Sequence, residues 1–166
     1  MTDFERYVAE YSAELTRFCM KLCGNVHDAE DLFQDTWARA VDKFDRYDPA
    51  LSFKSWLFAI CANIFKNSAK RKYNTSRAIF ASEEEKERFI RSIPDRQTDI
   101  DAYLDLHAAM LSLPKKHRLV LVLYYFREFS QSEIALMLDI PEGTVKSRLN
   151  TAKKLLKRRL YDEEDQ

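Results

Sequence analysis

Gly24 and Gly143 are the only two glycines in 166 residues, and there are only four prolines. A chain this poor in the residue that accepts positive φ cannot make the many tight turns of a sandwich or barrel. The same scarcity excludes a glycine-rich phosphate loop or a dinucleotide fingerprint, which need several glycines at close spacing. Nucleotide-dependent enzymology goes with them, and helix is what is left.

Helical periodicity runs through most of the chain. Phe4, Tyr7, Val8, Tyr11, Leu15, Phe18, Cys19 and Leu22 form one stripe that stops at Gly24. A second pattern starts at Asp28 and places Ala29, Leu32, Phe33, Thr36, Trp37, Ala40, Val41 and Phe44 on one face. Pro49 and polar turn formers break the pattern at 45–52. A third helix is predicted from about Phe53 through Trp56, Leu57, Ile60 and Ile64 to the basic cluster Lys70–Lys72. From 74 to 98 the signal fades into a charge block (82–88) and Pro94, which leaves room for a short helix but reads as mostly solvated linker. Four patterns follow: 100–113, a helix with Pro114 in its first turn, one opened by the capping box Ser130–Glu133, and one from the N-cap Thr144 to about Tyr161.

The expected fold is therefore all-α: two small helical domains, 1–73 and 100–161, joined by a flexible linker at 74–99 and followed by an acidic tail at 162–166. No run reaches the roughly 18 apolar residues of a membrane span, and the first ten residues are too acidic and polar for a secretory signal. A cytoplasmic location is expected, and the odd cysteine count suits a reducing compartment. Cys19, Cys23 and His27 fall at successive four-residue steps, but no neighbouring motif supplies a fourth metal ligand, so the cysteines read as small core residues.

Net charge is zero only on average. Residues 1–42 hold four basic and nine acidic residues, 43–73 hold seven and two, and 144–161 hold seven and none. Two basic surfaces and an acidic one imply more than one macromolecular partner. Residues 131–150 fit a helix-turn-helix, with Ala135 small enough for close helix approach and Asp139 at the turn. Its second helix presents Lys146, Ser147, Asn150 and Thr151 toward base edges, followed by Lys153, Lys154, Lys157, Arg158 and Arg159 for phosphate or partner contacts.

The third helix mixes Phe53, Trp56, Phe58, Phe65 and Tyr73 with Lys54, Lys66, Lys70, Arg71 and Lys72, a composition suited either to an unstacked strand or to a core. Asn63 and Asn67 lie beside Trp56 on one edge of its apolar stripe, with Lys66 and Lys70 next outward; their amides could bond an extruded base. Asp28, Asp31, Asp35 and Asp42 share a stripe about 60° wide at 100° per residue. Pairing of Asp35 with Arg39 would explain part of it, and docking of a basic partner would explain Asp42 as well.

The segments DAEDLFQDTWARAVDKFDRYD (28–48), SFKSWLFAICANIFKNSAKR (52–71) and SLPKKHRLVLVLYYFREFSQSEIALMLDIPEGTVKSRL (112–149) resemble bacterial sigma factors of the extracytoplasmic-function type. Asp139 and the Phe-Arg-Glu-Phe at 126–129, where the family often has a glycine, depart from the pattern. The resemblance implies a sigma factor that binds RNA polymerase core and directs promoter-specific transcription. Asp28, Asp31, Gln34, Asp35 and Asp42 would dock on the β′ clamp. Arg46, Trp56, Asn63, Lys66, Asn67, Lys70 and Arg71 would hold the melted −10 strand. Ser130, Thr144, Lys146, Ser147, Arg148, Asn150, Thr151, Lys153 and Lys154 would meet the −35 duplex, partly against the β flap. An anti-sigma factor is a further partner the resemblance suggests. The competing reading is a stand-alone helix-turn-helix regulator binding duplex DNA as a dimer, for which no long apolar seam is found. An enzyme is not expected, because no nucleophile–base pair or metal set can be assembled, and no cofactor is implied.

Overall fold

The computed structural model describes residues 1–68, 83–91 and 99–162. Among these residues all regular structure is helical. Its elements are α1 (Asp3–Leu22), α2 (Val26–Lys43), a 3₁₀ turn (Phe44–Arg46), α3 (Phe53–Asn67), α4 (Glu83–Arg91), α5 (Ile100–Leu111), α6 (Lys115–Tyr125), α7 (Gln131–Leu138) and α8 (Glu142–Asp162).

Short polar side chains set most of the starts, by accepting hydrogen bonds from the unpaired N–H groups of each first turn. Thr2 and Glu5 form a reciprocal capping box on α1, and Ser130 and Glu133 form the expected one on α7. Asn25 accepts from the Asp28 N–H at 2.8 Å, so α2 begins at Val26, two residues before the Asp28 start read from the pattern. Two other boundaries also differ. Pro114 precedes α6 as its N-cap, and α8 begins at Glu142 directly after Pro141, leaving Thr144 inside the first turn. The stretch read as mostly solvated linker contains α4, whose Arg88 pairs with Glu30 of α2.

α1, α2 and α3 pack on one another, as do α6, α7 and α8, with α5 against α8. Phe18, Phe58 and Phe65 are fully enclosed in the first group, each contributing about 1.5–3 kcal/mol relative to exposure. An aromatic layer closes its end, with Tyr7 stacked on Phe53 at 3.9 Å and Trp56 against Tyr47 at 5.0 Å. Cys19 and Cys61 meet inside at 3.8 Å between sulfurs, while His27 lies at the surface beside Asp31, so the four-residue steps do not converge on one site. The buried residues of both groups belong to one continuous cluster, because α3 also packs on α7, and Phe58 touches Phe129 at 6.0 Å.

Two non-glycine residues have left-handed backbone, Glu128 (φ 59°) and Asp139 (φ 53°). They flank α7, at the turn residue Asp139 and within the 126–129 stretch. Each costs about 1 kcal/mol relative to glycine.

Candidate nucleic-acid interface

α8 is built as a two-sided rod. Val145, Leu149 and Ala152 are buried against α6 and α7, and helical spacing puts Lys146, Ser147, Asn150, Thr151, Lys154 and Lys157 on the opposite side, all exposed. Lys153 is also exposed but sits over the Tyr125 ring at 5.4 Å, whose hydroxyl raises its pKa. Thr144 and Arg148 are half-buried at the edges of this face. Ser130 is exposed at the α7 start, where its hydroxyl accepts from Glu133 N–H at 3.1 Å. The arrangement can put donors of several types on one nucleic-acid groove and a row of cations beside them.

The second candidate surface, on α3, is largely occupied. Its aromatics divide: Phe53, Phe58 and Phe65 are core residues and cannot stack on bases, while Trp56 is half-buried. Asn63 Nδ2 donates to the carbonyl oxygens of Ala59 (2.8 Å) and Met137 (2.9 Å), and Lys66 Nζ donates to that of Leu138 (3.1 Å). The last four carbonyls of any α-helix lack partners within it. In α7, the N–H groups of Asp139 and Ile140 satisfy Leu136 and Ala135, and α3 satisfies the other two. Asn67 ends α3 in an exposed position, and Arg46 is exposed in the 3₁₀ turn. Lys70 and Arg71, named with them, lie outside the described residues.

On α2, Gln34, Asp35 and Asp42 are exposed, whereas Asp28 and Asp31 are half-buried. Asp28 accepts from Asn25 Nδ2 at 3.0 Å, and Asp31 faces His27 at 3.7 Å. Asp35, Arg39, Val41 and Asp42 line one shallow surface depression. No ion pair joins Asp35 to Arg39 among the described residues.

Several residues that sequence reasoning passed over hold the two helical groups together. Lys115 Nζ donates to Ser68 O (2.7 Å) and Oγ (2.9 Å). Glu14 lies between Lys54 (3.4 Å) and Arg127 (3.8 Å). Lys21 is buried, donates to Tyr103 Oη at 2.8 Å and lies 4.8 Å from the Phe126 ring centroid. Burial, with Arg127 and Arg17 nearby, lowers its pKa to about 8. His107 lies beside it, pushed down to about 3 by burial and by the charges of Lys21 and Arg118. Lone cations in polar surroundings look like surface residues in a sequence; only the long-range packing makes them interface residues.

Residues 7–75 match the sigma-70 region 2 family and residues 103–156 match sigma-70 region 4. The chain is 32% identical to the extracytoplasmic-function (ECF) RNA polymerase sigma factor SigW of Bacillus subtilis, over 96% of this chain and 89% of that protein. It is also 32% identical to the ECF sigma factor SigL of Mycobacterium tuberculosis, over 92% and 86%. Among solved structures, the sigma factor RpoE of Bartonella quintana, crystallised with the anti-sigma factor NepR, superposes with a TM-score of 0.73 at 24% identity, covering 96% of this chain and 98% of that one. No helix among the described residues is long and apolar enough to cross a membrane. The chain belongs to the extracytoplasmic-function family of RNA polymerase sigma factors, which direct promoter-specific transcription.

Proposed function

We propose that this sigma factor reads its promoter at two places by two different physics. The C-terminal unit, 100–161, reads the −35 element as duplex: Lys146, Ser147, Asn150 and Thr151 address base edges, and Lys153, Lys154, Arg148, Ser130 and Thr144 fix the docking through the backbone. The N-terminal unit, 1–73, takes the melted −10 strand along Arg46, Trp56, Asn63, Lys66, Asn67, Lys70 and Arg71, and docks on the polymerase β′ clamp through Asp28, Asp31, Gln34, Asp35 and Asp42. Residues 74–99 link the two, and 162–166 form an acidic tail. The chain works by binding and not by catalysis, in the cytoplasm. An anti-sigma partner is part of the reading, since solved structures of this fold include RpoE in complex with the anti-sigma factor NepR and CnrH in complex with the cytosolic domain of CnrY.

The observation that carries the proposal is the division of α8 into a buried apolar side and an exposed polar and cationic side. Transcription by core polymerase from a promoter library randomised at both elements tests it. Lys146→Ala and Asn150→Ala should each cost about 1–3 kcal/mol at particular upstream base pairs. Lys157→Ala should weaken all promoters alike and lower the salt slope by about one unit. Asn63→Ala and Asn67→Ala should leave core binding intact, reduce open-complex formation and change the preferred −10 base. Uniform effects from every variant would defeat the two-site reading, and tight, sequence-specific binding of duplex DNA by the free protein, with no co-elution with core polymerase, would favour a stand-alone regulator.

A further inference from the structure

Charge is out of balance where α1 meets α5. Lys21 is 8% exposed; its ammonium donates to Tyr103 Oη at 2.8 Å and lies 4.8 Å from the Phe126 ring centroid. Arg127, with 9% of its side chain exposed, acts on both Lys21 and Tyr103, and its Nε has no hydrogen-bond partner among the described residues. Arg118, 1% exposed, adds a third buried cation, which acts on His107 together with Lys21.

Buried ions are ordinarily paired, because an isolated charge out of water is costly. Here the pairing falls short. Glu14 reaches Arg127 at 3.8 Å but divides its charge with Lys54 at 3.4 Å. Among the described residues no carboxylate pairs with Lys21, and Arg17 adds to the positive field around it. The Tyr103 hydroxyl and the Tyr103 and Phe126 rings give Lys21 a dipole and π electrons, not a charge of opposite sign.

A cavity of about 10 Å³ lies among Lys21, Tyr103, His107 and Phe126, with Leu106 and Met110 completing its wall. It has room for one water-sized occupant. That size excludes phosphate, sulfate and any carboxylate. A monatomic anion suits the chemistry as well: it accepts a hydrogen bond from any direction, and it tolerates hydrocarbon on sides where an oxyanion would need further donors.

We propose that this cavity is a halide site, which takes chloride from solution between Lys21 of α1 and Tyr103 and His107 of α5. The ion supplies the negative charge that the surrounding side chains lack. It accepts from the Lys21 ammonium while the arginines act on it through space, and the apolar wall strengthens both effects by keeping the local dielectric low. Burial, with Arg127 and Arg17 nearby, lowers the Lys21 pKa to about 8; an adjacent anion favours the charged amine and opposes that shift.

Chloride NMR line width and thermal melting of the full chain test the site, with ionic strength held constant by sodium gluconate, whose anion is too large for the cavity. Wild-type protein should broaden the chloride line, and bromide should narrow it again by competition. With a dissociation constant of about 10 mM, raising chloride from about 1 mM to about 100 mM should lift the thermal midpoint by about 2–4 °C. Lys21→Met keeps an unbranched side chain and removes its charge; it should abolish both the broadening and the chloride dependence of the midpoint. Lys157→Ala removes an exposed cation of α8, away from the cavity, and should leave both in place.

A line width that bromide does not change, a midpoint that follows ionic strength whichever anion supplies it, or a full chloride response from Lys21→Met would each overturn the proposal. Should Lys21→Met lose helix content by circular dichroism, Arg127→Gln takes its place. Weaker broadening is then the expected result, and undiminished broadening counts against the site.

Discussion

His107 titrates against its surroundings. It is buried on α5, and its pKa of about 3 lies below the ordinary 6.5 because burial and the charges of Lys21 and Arg118 disfavour the imidazolium. A histidine whose folded pKa is depressed supports the fold only while the unfolded chain is also neutral. As pH falls below 6.5 the unfolded state takes up a proton that the folded state refuses. Stability should therefore drop between pH 6.5 and about 3, with a slope of at most about 1.4 kcal/mol per pH unit from this group. His107→Leu should flatten urea-midpoint profiles over that window, and an unaltered profile would show that another group governs acid unfolding. None of this could be read beforehand: histidine at 107 carries no local sign of burial, and its neighbours Lys21 and Arg118 are remote in sequence. By contrast, the outward residues of α8 were legible, since one period of 3.6 decides which side chains Val145, Leu149 and Ala152 leave facing solvent.

α7 is an eight-residue helix between two left-handed residues, Glu128 and Asp139. Asp139 caps it with φ 53° and ψ 52°, and its N–H satisfies Leu136 O. Glycine would keep that hydrogen bond without the Cβ penalty. Asp139→Gly should thus stabilise the C-terminal unit by about 0.5–1 kcal/mol, read as a higher thermal midpoint; a lower midpoint would mean that the carboxylate contributes more than the strain costs. Removing the capping hydroxyl, Ser130→Ala, should cost about 1 kcal/mol by the same measurement. Helices with a strong local signal were visible in the sequence: the Ser130–Glu133 box announced α7, and Asp139 announced the end of it. The start of α2 was displaced by two residues, because Asn25 caps it ahead of Asp28, and that of α8 by three, because its first turn follows Pro141 directly and takes in Thr144. α4 was hidden in a segment whose apolar pattern is too weak to stand out from a charged linker.

Charge is segregated along the chain, with nine acidic against four basic residues over 1–42, and Asp35 and Asp42 of α2 are exposed. Reversing Asp31 and Asp35 to lysine should weaken co-elution with core polymerase while leaving helix content nearly intact; undiminished binding would remove these residues from the docking surface. That there are two helical units was legible from periodicity and the intervening charge block. How they meet was not, because Asn63–Met137 and Lys115–Ser68 join residues 74 and 47 positions apart. The junction also changes how the molecule should come apart on heating. Units of some 60–70 residues bury a comparatively small fraction of their surface and are marginal alone, yet here the apolar cluster passes from Phe58 to Phe129 without a gap. Each half then supplies part of the other's interior, and melting is a joint event. Calorimetry of the protein should give one endotherm with matching calorimetric and van't Hoff enthalpies. In the Glu14→Arg/Lys115→Glu variant, which reverses charge at two of the contacts between the halves, it should divide into two, each at lower temperature.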